Sequence, residues 1–150
     1  MDERRYKAFI SYSHRDERWA RWLQRMLERY RVPNHTRRLA LQVCAHHLAC
    51  HRLMEARPKT VFRLLEQLDA LRQPDIDPFL AACEADYRGR QGLQDRPYPQ
   101  ADRLRAALAA ALGVRARDLA AQGLAGKALG EALRRARIEA IGQLPVEPGE

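Results

Sequence analysis

The chain has few aromatic residues, 7% of 150 positions, and few sulfur residues, with three cysteines and three methionines. Few aromatics argue against a single-strand nucleic-acid reader built on a row of stacking rings. Cys44, Cys50 and Cys83 are an odd number without the paired spacing of a zinc ribbon or a disulfide framework, so they read as buried, reduced thiols. Long apolar runs are missing too. The longest, Ala106 to Leu112, is far short of the roughly 20 residues that cross a bilayer. The charged start Met1-Asp2-Glu3-Arg4-Arg5 precedes no apolar core of a secretory leader, so no membrane is expected and the expected place is the cytoplasm. Lysine is scarce, three against 24 arginines, and no glycine-rich phosphate loop follows a strand.

What is present is a basic, alanine- and leucine-rich chain. The 27 Lys+Arg outnumber 19 Asp+Glu for a net charge of +8. Arginine's planar fork matches phosphate oxygens, which makes nucleic acid the leading partner class, with a merely solvated basic surface as the alternative. At this length the chain holds one ordinary domain or two fragments.

The periodicity predicts a mainly α protein, a bundle or array of about six helices, with one short N-terminal strand lacking sheet partners. Tyr6 to Ser13 is short and rich in aromatic and β-branched residues, which reads as that strand. From Glu17 the apolar positions Trp19, Trp22, Leu23, Met26, Leu27 and Tyr30 follow helical spacing until Val32-Pro33-Asn34 stops them. Further helices are expected over 39–54, 58–71, 78–87, 101–112, 115–121 and 126–141. Of these, 101–112 should align Leu104, Leu108 and Leu112 on one face. The last should turn Leu129, Leu133 and Ile141 inward and Arg134, Arg135 and Arg137 largely outward.

Several groups are candidates for chemistry. Arg88-Gly89-Arg90 leads from a helix into a loop, where two guanidinium forks reach phosphates, or where Arg88 pairs with Glu84 or Asp86 to hold the loop. Gly123 to Lys127 precedes a helix start, where free amides favour an anion; a plain glycine turn explains the same pattern. Arg134, Arg135 and Arg137 complete the basic set, with Glu131 placed to pair with Arg135. His47 and His51, four apart, share a helical face and form an incomplete metal site at best. Asp75-Ile76-Asp77 lies between two prolines without a preceding strand and reads as a solvated turn. It does not read as a carboxylate pair holding two metal ions about 4 Å apart.

Two family resemblances follow from longer runs. Tyr6-Lys7-Ala8-Phe9-Ile10-Ser11-Tyr12-Ser13-His14-Arg15-Asp16, with Trp19-Ala20-Arg21-Trp22-Leu23 and Leu27 to Pro33, resembles the opening of bacterial TIR domains over residues 5–33. That family implies a doubly wound α/β module engaged in self-association or NAD hydrolysis. Only its first strand and helix are matched, and its later glutamate has no counterpart.

Residues 31–141 resemble the C-terminal region of bacterial multifunctional CCA proteins, the tRNA nucleotidyltransferases. The likeness rests on Ala45-His46-His47-Leu48 with His51, on Arg57-Pro58-Lys59-Thr60, and on Leu68 to Pro74. It continues through Glu84 to Arg90 and Tyr98-Pro99-Gln100-Ala101. This implies tRNA as partner, bound through Arg88, Arg90, Lys127, Arg134, Arg135 and Arg137. The family's magnesium and ATP or CTP are handled by a head domain, so the chain is expected to need no cofactor of its own. That head is then supplied, if at all, by another chain. The expected organisation is a TIR-like segment 1–33 followed by a helical region 34–150, meeting at residues 31–34. The other readings are a truncated TIR-like interaction module and a fusion without an evolved function.

Overall fold

The computed structural model describes residues 17–145, with side chains from Arg21 onward; the strand expected over 6–13 and the stripe position Trp19 fall outside that description. The described residues form seven α-helices: α1 (Glu17–Arg29), α2 (Asn34–His51), α3 (Pro58–Gln67), α4 (Asp77–Arg88), α5 (Pro99–Gly113), α6 (Ala116–Ala120) and α7 (Gly126–Gly142). A single 3₁₀ turn, Leu53–Glu55, follows α2. No strand occurs among the described residues, in line with a helical array.

The helix ends depart from expectation in two instructive places. α2 starts at Asn34 instead of Leu39, because the carbonyl of Pro33 accepts the amide of Arg37 at 3.0 Å and Asn34 Oδ1 accepts from the Arg37 guanidinium at 2.9 Å. A proline just ahead of a helix loses nothing, since its missing N–H has no partner there. α3 stops at Gln67, short of Leu71, because Asp69 adopts φ +54 and Ala70 donates back to Leu65 at 3.0 Å. That six-to-one bond is a Schellman closure. α1 closes the same way, with Arg31 at φ +50 and Val32 donating to Leu27 at 3.0 Å. Neither site has the glycine that would have signalled the stop.

The chain divides into two compact units. One comprises Met1–His47 with Pro78–Arg96, described from residue 17 on; the other comprises Leu48–Asp77 with Pro97–Glu150, described to residue 145. The first buries Val43, Cys44, His47, Phe79, Leu80 and Cys83. Trp22 in α1 and Tyr30 just after it remain 42% and 68% exposed although their spacing places them on the helix's apolar stripe.

The second unit is centred on α7, which packs on α5 and α3, with α6 on its flank and the 3₁₀ turn against α5. Val61, Leu64, Leu65 and Leu68 enter this core, as their spacing predicts; Phe62 joins them, whereas Leu71, expected on the same stripe, is half-buried. On α5 the buried face is Ala101, Arg103, Leu104, Ala107, Leu108 and Ala111, whereas Leu112 is exposed. Positions 104, 108 and 112 drift round a helix by roughly 40° per step, so the third leaves the core and alanines at i+3 and i+7 take its place.

Candidate nucleic-acid interface

The six basic candidates fall in both units. Arg88 and Arg90 lie in the first. Arg88 Nη2 meets Glu84 Oε1 at 2.9 Å, and its Nε donates to the carbonyl of Arg96 at 3.3 Å. Arg90 Nη2 meets Asp86 Oδ2 at 3.3 Å. Each arginine thus reaches back one turn to a carboxylate, and Arg88 also ties the two ends of the 89–95 loop together. Gly92 carries φ +83 in that loop, a conformation that glycine adopts without strain. Both arginines keep substantial exposure, so the pairs are solvent-screened and exchangeable.

Lys127, Arg134, Arg135 and Arg137 lie in the second unit, on α7. Gly123 at φ +88 and Gly126 at φ +55 make the turn that starts this helix, so the glycines have a backbone reason to be there. Lys127 Nζ stands 3.8 Å from Glu131, which therefore faces lysine across one turn where Arg135 was the expected partner. Arg134 is a bridge between helices: its Nε and Nη2 donate to the two oxygens of Glu66 on α3 at 3.3 and 2.9 Å. The guanidinium also lies 5.4 Å from the centre of the Phe62 ring. The hydrogen bond that Arg134 donates to Glu66, and then the charge of Glu66, raise the Arg134 pKa above its ordinary value.

Arg135 is exposed, whereas Arg137 is half-buried, with its Nε enclosed and unbonded. The expectation that 134, 135 and 137 point largely outward is corrected at Arg137. Residues two apart on a helix are separated by roughly 200°, so Arg135 and Arg137 cannot share one exposed face.

The histidine pair is engaged in packing. His47 is 1% exposed and its Nδ1–H donates to the carbonyl of Val43 at 2.9 Å. His51 Nδ1 lies 2.9 Å from the hydroxyl of Tyr98, whose ring it meets edge-on at 5.8 Å. That hydroxyl in turn donates to Cys50 Sγ at 3.5 Å. The roles agree if His51 donates from Nδ1, since the tyrosine proton is then spent on sulfur. All three cysteines are buried thiols outside any disulfide. No group of three or more metal-ligating side chains occurs among the described residues.

The carboxylates between the prolines do not fit a two-metal centre. Asp77 is the first residue of α4, and its Oδ1 accepts the Nε–H of Arg105 at 2.9 Å, while the same guanidinium holds Asp102 at 3.0 Å. Magnesium chemistry therefore has no footing on this pair, and no catalytic step follows from it.

Two residues of this region went unread in the sequence. Tyr98 sits in what reads as loop, and nothing local marks its hydroxyl as a link to His51 and Cys50, 47 and 48 positions earlier. Arg103 is 9% exposed, and its position beside Leu104 with Ala107 one turn on was the available signal.

The described structure is an all-helical, arginine-rich array in which Arg37, Arg52, Arg88, Arg90, Arg105, Arg117, Lys127 and Arg134 are in ion pairs at helix surfaces. Comparison with known proteins gives this class a relative. The chain is 50% identical over 140 residues to the multifunctional CCA protein of Thioalkalivibrio sulfidiphilus, covering 93% of this chain and 34% of that protein. The protein of the same name from Nitrosococcus oceani is 47% identical over 133 residues, 88% of this chain and 32% of the relative. That of Acinetobacter baumannii is 43% identical over 129 residues, 85% and 31%. The chain is thus homologous to the C-terminal region of multifunctional CCA proteins and spans about a third of the length of these relatives.

A match of 140 residues in 150 must run through positions 31–34, and a TIR relationship for the first 33 residues is not shown. No protein-family model matches the chain. No solved structure matches it. No helix among the described residues is long and apolar enough to cross a membrane.

Proposed function

We propose that this chain is a tRNA-binding helical module that contributes recognition to tRNA 3′-end processing, and that nucleotidyl transfer is not its own work. The observation that carries this reading is 50% identity over 140 residues to a multifunctional CCA protein, on a chain of net charge +8. Its partner is tRNA, its place the cytoplasm, and its contacts phosphate oxygens, recognised by RNA shape more than by base. Arg88, Arg90, Lys127, Arg134, Arg135 and Arg137 are the proposed contacts. Arg135 and Lys127 are the readiest of these, being the exposed cations of α7 that no bidentate carboxylate holds. Arg88, Arg90 and Arg134 would exchange a carboxylate for a phosphate. A catalytic head on another chain would supply metal and nucleotide.

The test is filter binding of tRNA across a salt series. A Lys127→Gln, Arg135→Gln variant should lose about 1 kcal/mol per contact and show a shallower salt slope than wild type. Arg21→Gln, Arg25→Gln serves as the control of equal charge. Equal losses in the two variants would remove the case for a tRNA surface on α7.

A further inference from the structure

We draw no further inference here: the strongest candidate, the surface patch of Trp22 on α1 and Tyr30 just after it, beside the exposed Arg25 and Arg29, carries none, since nothing in the structure shows what covers it.

Discussion

Both carboxylate oxygens of Glu66 are taken by one guanidinium, that of Arg134, 68 positions later in the chain. The bridge ties α3 to α7 on the surface of the second unit, and the Phe62 ring lies beneath the cation. Arg134 therefore has a structural task before any ligand arrives. Arg134→Gln should lower the urea midpoint, and the loss should shrink at high salt because the pair is exposed. Arg135→Gln should leave the midpoint unchanged within error. A midpoint insensitive to Arg134→Gln at low salt would show that the bridge contributes nothing.

Tyr98 joins His51 to Cys50 through one buried hydroxyl. Tyr98→Phe keeps the ring packing and removes the oxygen, leaving the His51 Nδ1–H without its acceptor. The expected cost is about 1–3 kcal/mol, read as a shift of the denaturant midpoint at constant slope. A change below about 0.5 kcal/mol would mean that water replaces the hydroxyl without loss.

Burial pushes the Cys44 thiol pKa up from its ordinary 9.0. A folded-state pKa above the unfolded one means that the native state binds the proton more tightly. The resulting stability is fully present below pH 9.0 and is lost as pH rises through the folded value. Cys44→Ser should flatten the fall in stability above that pH. Alkylation at pH 8 should label the native thiols far more slowly than the urea-unfolded ones, as mass spectrometry would count.

Arg31 and Asp69 hold left-handed backbone without being glycine, at φ +50 and +54. Arg31→Gly should relieve that strain, offset in part by greater unfolded-state freedom, for a net gain of up to about 1 kcal/mol. Arg31→Val should destabilise by more than that, since a β-branched residue is poorly accommodated there. Thermal unfolding of both variants checks the opposite signs, and a loss in both would show that the Arg31 side chain itself matters.

The purified chain should incorporate neither CMP nor AMP into tRNA lacking its 3′ end, because Asp77 is held by Arg105 and no triphosphate loop is recognisable. Radiolabelled incorporation above a no-protein control would require a carboxylate pair that has been misread.

Much of the helical pattern was legible because it rests on local spacing. Val61, Leu64, Leu65 and Leu68 announce the buried face of α3, and Pro58 announces its start. The ends of α1 and α3 were harder, since Arg31 and Asp69 close helices where glycine is the usual sign. Arg88 could be read either as a phosphate fork beside Arg90 or as a partner of Glu84 or Asp86, and local spacing could not choose. The ion pairs with those two carboxylates are what the fold contains. Leu112 and Arg137 were misplaced because an apolar or basic cluster was assigned one direction, while the helix rotates its members apart.

The sequence by itself determined the helical class, the approximate position of each helix and the basic character of the surface. These follow from side-chain period, from proline's missing N–H and from a count of charges, all of which act over a few neighbouring residues. Tertiary structure alone decided which cations are occupied. Arg134 finds Glu66, Arg105 finds Asp77, and Tyr98 finds His51 across 68, 28 and 47 positions. The Nε of Arg103 finds no acceptor among the described residues. Each of these depends on which helices pack together, and a charge pair over several ångströms is set by that packing and not by distance along the chain.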